Sequence, residues 1–445
     1  TGVARQDGND QTLKGDGYKA LVYLYFDGGC DSYNMLAPHT CPDRINAEGQ
    51  TINAYANYLA IRGQVALTNQ TSLEVDASNS LQSCTSYGLH PNLPFLQRLY
   101  NESSILFVAN AGLLVAPVDK TNYRELTPTQ LFAHNAMNRD TKRVDLYNVY
   151  GGTGVVGRIN DMLTKRGYVT GAYSISGNDV TLAGQPGKSP AASILSSSGV
   201  APFNEDPSIT DMNSKVIAVN GEMSADSSFY GETWSDALAL SISQHTTLYN
   251  ALQSPDANTH VVFPTTSLGN QLEVVAKLIK IRNERGTERD LFYVRTGGFD
   301  THSYVIPALA ARFDEVNAAL EAFVDELKFQ GVWLNTTIVQ FSEFARTLNP
   351  NGNDGTDHAW GGQHFIAGGS VLGGKILGTY PEDFSESTMI GLSRGRMIPT
   401  TPWDAILNGV AEWCGVTDQG DLGTVLPMKG NFPSESIYNM SEIYA

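Results

Sequence analysis

Four segments of the chain are built around runs of apolar and aromatic residues. Tyr18 to Asp27 reads YKALVYLYFD and runs into Gly28-Gly29, and Ser104 to Ala111 reads SILFVANA. Asp290 to Thr296 reads DLFYVRT and runs into Gly297-Gly298, and Asn335 to Phe341 reads NTTIVQF and runs into Ser342-Glu343. Such runs lack the polar alternation of a half-exposed strand, so they predict strands covered on both faces. Helix-period stripes follow. Leu268 to Arg285 places Leu272, Val275, Leu278 and Ile279 on one face; Leu309 to Gln330 does the same with Phe313, Val316, Leu320, Phe323, Val324 and Leu327. Gly286 and Gly331 close these two helices. A shorter helical stretch runs from Leu93 to Tyr100. Strand–helix–strand order predicts a parallel sheet with helices on its faces, and sites in such sheets form beyond the carboxyl ends of the strands.

No linker divides the 445 residues, so residues 1–445 are expected to form one domain. Ser174 to Asp256 is rich in Ser, Gly, Asn and Asp with weak periodicity, which predicts an insertion or cap of loops and short strands. Gly152, Gly154 and Gly157 match GxGxxG after the strand-like VDLYNVY, but no acidic ribose ligand follows in a βαβ context. A close-packed turn opening a helix is the better reading.

Composition narrows the class. Hydrophobic residues make up 41% and charged residues 17%, which suits a sizeable core rather than disorder. A net charge of −17 repels phosphate backbones and anionic membranes, so nucleic acid is not an expected partner. No apolar run approaches the roughly 20 residues that span a bilayer. The polar start, TGVARQDGNDQTLKGDG, is expected to follow a removed signal peptide or none at all. Four sequons, at Asn69, Asn101, Asn335 and Asn439, point to a secreted, extracellular glycoprotein. In that setting Cys41 and Cys84 are a candidate disulfide pair around a polar stretch, with Cys30 and Cys414 as buried thiols.

Acidic residues and histidines gather where the strands are expected to end. Asp27 and Asp31 lie in a glycine turn after the first run; a carboxylate there reaches a metal without backbone obstruction, and Asp31 reads equally as a helix cap. Asp300 and His302, two apart after the third run, are a common ligand pair for zinc or a similar ion. Glu343 ends the fourth run and needs a pair or a metal if buried; Arg346 supplies that pair or clamps an anionic group. Asp357, His358 and His364 follow in a glycine-rich loop. Carboxylates gathered without a cation repel one another, so one or two divalent metals (Zn, Mn, Ca or Mg) are the simplest way to hold the array, and two would suit displacement at phosphorus or sulfur.

These motifs carry a resemblance. GGCDSYNML, YGLHPNL, LFAHN, GGFDTHS, SEFARTLNPNGNDGTDHAWGGQHFIAGG and GRMIPTTPWD, spread over nearly the whole chain, resemble the DUF1501 family of the alkaline-phosphatase and sulfatase superfamily. The resemblance implies an alkaline-phosphatase-like α/β/α sandwich with a mostly parallel central sheet, metals at strand ends, and a Ser, Thr or formylglycine nucleophile. It implies Asp31, Asp300, His302, Glu343, Asp357 and His358 as ligands, with Asp27 and His364 as weaker candidates. Related members read LFSH where this chain has Ala133 beside His134. With that serine gone, His134 and Arg346 remain as candidate catalytic groups, and Thr121, Thr129 or water would have to attack.

Two functions stay open. One is a metal-dependent hydrolase of a small anionic ester or a sulfated or phosphorylated glycan. The other is a catalytically silent extracellular glycoprotein, or a self-assembling subunit, that keeps the hydrolase fold.

Overall fold

The computed structural model describes residues 17–45, 49–148, 151–200, 208–220 and 228–445. Nine strands form the main sheet: β1 (Lys19–Phe26), β2 (Ile105–Gly112), β3 (Thr170–Ser174), β4 (Ser193–Ile194), β5 (Arg289–Thr296), β6 (Thr336–Ser342), β7 (Gly362–Gly368), β8 (Ile376–Gly378) and β9 (Thr401–Pro402). Their order is β8-β2-β7-β6-β1-β5-β3-β4, with β9 also pairing β2. β7 runs antiparallel to both neighbours and every other pair is parallel.

The apolar runs form strands because both faces are covered. Val22, Leu24, Phe26, Phe292 and Val294 face one core with helices α1 (Pro94–Asn101), α5 (Ser267–Lys280) and α6 (Val305–Phe329). Leu21, Tyr23, Tyr25, Tyr293 and Phe341 face the other core with α3 (Val155–Lys165) and α7 (Trp403–Cys414). Helices α2 (His134–Arg143) and α4 (Phe229–Gln253) lie in chain order between them. The architecture is an α/β/α sandwich with a mostly parallel sheet, as expected.

Several details differ from the sequence expectation. Helix α6 starts at Val305, not near Leu309, because Tyr304 turns the chain in left-handed conformation just before it. The segment 174–256, expected to be loops and short strands, holds a helix at Met212–Asn220 and the long α4. Residues 201–207 and 221–227 of it lie outside the described residues. The strand-like stretch from Val144 forms no strand among its described residues. The GxGxxG segment is a close-packed turn: a Cβ on Gly154 would meet the Val180 carbonyl oxygen at 1.9 Å, and one on Gly157 the Ala183 carbonyl carbon at 2.2 Å. Cys41 and Cys84 are joined by a disulfide, and Cys30 and Cys414 are buried thiols.

Register sets the site. Phe26 of β1 stands opposite Thr296 of β5 and Ser342 of β6, so the three strands end abreast. Asp27-Gly28-Gly29, Gly297-Gly298-Phe299-Asp300 and Glu343 leave the sheet side by side. Gly28 adopts φ 117, and a Cβ there would sit 2.5 Å from the Asp300 amide nitrogen. Gly28→Ala is expected to lower stability by about 2–4 kcal/mol in denaturant unfolding, from strain plus overpacking; a change under about 1 kcal/mol would contradict this packing.

Candidate metal centre

The side chains leaving these strand ends meet α2 and the loop after β6. His134 opens α2; its Nδ1 lies 2.9 Å from Glu343 Oε1, which also accepts the Gly28 amide at 2.9 Å. His302 Nδ1 lies 3.0 Å from Asp357 Oδ1. His358 Nδ1 lies 2.8 Å from the Phe132 carbonyl oxygen. A carbonyl or an ionised carboxylate accepts only, so each imidazole donates through Nδ1. In the neutral form of each ring, that assignment leaves Nε2 as a lone-pair donor for another centre.

The three Nε2 atoms point at one oxygen. Asp300 Oδ1 is 3.0 Å from His302 Nε2, 3.4 Å from His358 Nε2 and 3.5 Å from His134 Nε2. The Nε2 atoms of His302 and His358 are 3.0 Å apart. His134 Nε2 is buried and makes no hydrogen bond. His134, Asp300 and His358 alone already form a group of atoms compact enough to hold one ion. Two lone-pair nitrogens at 3.0 Å repel unless a proton or a cation lies between them.

Electrostatics reinforce the arrangement. Burial alone would raise the Asp300 carboxyl, but Arg346, whose Nη1 lies 2.9 Å from Oδ1, and then His302 and His134, draw it below the usual carboxylate range. Burial would likewise raise Glu343; hydrogen bonds from His134 and from backbone amides hold it below its ordinary value. The Glu343 hydrogen bond raises His134, whereas burial lowers His358. Asp357, lowered against burial by Asn351, His302 and Arg394, stays a charged acceptor for His302.

The expected site residues therefore separate into groups. His134, Asp300, His302 and His358 converge. Glu343 and Asp357 each bind the far nitrogen of a histidine. Asp27 stands on the wall of a cavity of about 430 Å³ shared with His134, Asn138, Arg139, Asp300 and Glu343, its carboxylate held by Asn138 at 2.9 Å and Arg295 at 3.6 Å. Arg346 is buried on Asp300, the Gly28 carbonyl and the Thr356 carbonyl. Two expected ligands lie elsewhere. Asp31 is fully buried against Arg62, at 2.7 Å, and Arg62 also donates to the Thr347 carbonyl. His364 is buried between Gln340 and the Trp403 ring, and burial pushes it down to about 3. Thr121 bonds Asp119 and Thr129 bonds Asp140, so neither supplies a hydroxyl to the cluster. Ala133 caps α2 with no side-chain bond.

Of the sequon asparagines, Asn101 and Asn439 are exposed, whereas Asn69 and Asn335 are half-buried. The sequence reading missed Phe132, Asn138 and Arg394. Asn138 was within reach: it lies one turn after His134, on the same helix face. Asp31→Asn is expected to lower stability by roughly 3–5 kcal/mol, by leaving Arg62 buried and unpaired, with metal content unchanged. Loss of metal at unchanged stability would return Asp31 to the ligand set.

None of the curated proteins matches the chain. Among solved structures, it is similar to the lipoteichoic acid synthase LtaP from Listeria monocytogenes, at 10% identity over 90% of this chain and 73% of that one, with a TM-score of 0.32. It is similar to the PsFucS1 sulfatase from Pseudoalteromonas sp., at 12% identity over 96% and 74%, with a TM-score of 0.36. At TM-scores this low neither likeness carries a conclusion about this chain. No helix among the described residues is long and apolar enough to cross a membrane. Residues 225–389, which contain Asp300, His302, Glu343 and His358, match the model of the DUF1501 family, described as a protein of unknown function.

Proposed function

We propose that this chain holds one divalent ion on His134, Asp300, His302 and His358 and hydrolyses an anionic ester of the phosphate or sulfate class. The observation that carries this reading is the meeting of three histidine Nε2 atoms with Asp300 Oδ1 at 3.0–3.5 Å. In a tetrahedral zinc site with bonds of about 2.0–2.1 Å, ligand atoms lie about 3.3 Å apart; the separations from Asp300 Oδ1 to the three Nε2 atoms are of that order, and His134, Asp300 and His358 form the compact group that His302 adjoins. Glu343, Asp357 and the Phe132 carbonyl then act as the acceptors that fix ligand histidines in one tautomer and orientation. One ion fits better than two, because Asp31 and His364 are engaged elsewhere.

A bound ion of this kind supplies Lewis acidity toward an ester oxygen. The chain's own residues support the rest. Arg139, braced by Asp140, lines the cavity and is the cationic side chain there that an anionic substrate would meet. Asp27 is the wall carboxylate committed to no histidine, and it is placed to take a proton from water. With alanine at position 133 and the nearby threonines engaged, water is the attacking group. The Cys41–Cys84 disulfide supports an oxidising compartment, in keeping with secretion. A silent, metal-holding protein is the second reading, favoured by the four protein ligands and by Ala133.

Elemental analysis of purified protein is expected to find about one divalent ion per chain, lost in His134→Ala and Asp300→Ala. The loaded protein is expected to turn over 4-nitrophenyl phosphate or sulfate, with Asp27→Asn slower by about 100-fold or more. A loaded, folded protein that turns over neither ester with Zn, Mn, Ca or Mg would decide for the silent reading.

Metal uptake should also follow pH. His134 is raised, so in the metal-free protein it keeps its second proton above the ordinary histidine value of about 6.5, and binding must displace that proton. Affinity is expected to rise roughly tenfold per pH unit up to the His134 value and to level off above it, as titration calorimetry would show. Affinity that is flat between pH 5.5 and 8 would contradict this.

A further inference from the structure

One residue touching the centre has an unusual backbone. Phe132 lies at φ 63, in the left-handed region that bulky side chains seldom enter. Strain of this kind persists only where the surroundings hold it. Three contacts hold Phe132. Its amide donates to Met137 Sδ at 3.1 Å, one turn into α2. Its carbonyl accepts His358 Nδ1 at 2.8 Å. Its ring lies under the Arg396 guanidinium, 4.8 Å from carbon to ring centroid. Arg396 in turn donates Nε to the His358 carbonyl at 2.7 Å.

These contacts close a circuit. Phe132 binds the His358 ring, His358 binds Arg396 through its backbone, and Arg396 covers the Phe132 ring. The same residue stands two positions before His134, at the entry to α2. A single strained peptide therefore connects two of the four converging groups, one through the chain and one through a hydrogen bond. A cation–π contact is a fitting latch, because it holds the ring without using the carbonyl that His358 needs.

We propose that Phe132, latched by Arg396, is a positioning residue that sets the relative placement of His134 and His358 for the ion; this rests on the metal reading above. Neither residue touches the ion. Their effect is to keep two imidazoles aimed at one point before the ion arrives, so their loss lowers affinity and alters coordination geometry.

The test is cobalt(II) binding to the whole chain, followed by its visible absorption and by competition with a chelator, in wild type, Phe132→Leu, Arg396→Gln and the double variant. Each single variant is expected to bind cobalt about tenfold or more weakly, within the range of outer-sphere substitutions, with shifted absorption bands. The double variant is expected to be no weaker than the worse single one, because the two residues act as one latch. Phe132→Tyr, which keeps the ring, is expected to bind as wild type does. Unchanged affinity and spectrum in both single variants, with wild type binding normally, would overturn the latch and leave the metal reading standing. Wild type that takes up no cobalt would overturn both. If the single variants do not fold, nitrogen-15 spectra of metal-free wild type decide: the latch requires His358 to carry its proton on Nδ1, and a proton on Nε2 with Nδ1 bare overturns it.

Discussion

Three imidazoles donate through Nδ1 to Glu343, Asp357 and the Phe132 carbonyl, and their three Nε2 atoms gather around one carboxylate oxygen. Such a group is stable only if a positive charge sits in its middle. In the metal-free chain Arg346 meets part of that demand from one side of Asp300, and a second proton on His134 meets more of it. A divalent ion meets it directly. The acceptors on the far nitrogens matter as much as the converging atoms, because without them each ring could flip or change tautomer and the lone pairs would no longer agree in direction.

The fold delivers this agreement through register. Phe26, Thr296 and Ser342 end their strands in one row, so Gly28, Asp300 and Glu343 emerge within hydrogen-bonding reach of one another. The Gly28 backbone lies too close to Asp300 for any side chain there. Gly355 plays a similar part on the opposite side, since a Cβ on it would lie 2.1 Å from the His302 carbonyl carbon. The buried Asp31–Arg62 pair, with Arg62 bonded to the Thr347 carbonyl, braces the loop that carries Asp357 and His358 from behind. A carboxylate that looks like a ligand in the sequence thus braces the proposed ligands from behind.

Much of the fold was legible because its central strands are buried on both faces and so carry apolar runs. Strand β7 was not, since QHFIAG is short and sits in a glycine-rich loop. Helix α4 was not, because its apolar stripe is weak and, among its described side chains, only Ala239 and Ile242 are buried. The chemistry was legible as residue types at strand ends. Roles were not, because a role depends on what the second nitrogen or oxygen of a side chain touches. Glu343 and Asp357 look like ligands until each is found on an Nδ1. His134 looks like a catalytic group until its Nε2 is found aimed at Asp300. His364 shares the loop with His358 but points into the core against Trp403.

The central claim concerns a place in space, so the most direct measurement locates an ion. Crystals grown with zinc and measured on either side of its absorption edge are predicted to show one anomalous peak about 2.0–2.2 Å from His134 Nε2, His302 Nε2, His358 Nε2 and Asp300 Oδ1. A peak that instead engages Glu343 or Asp357 directly, or no peak among these four atoms in the presence of zinc, would contradict the account.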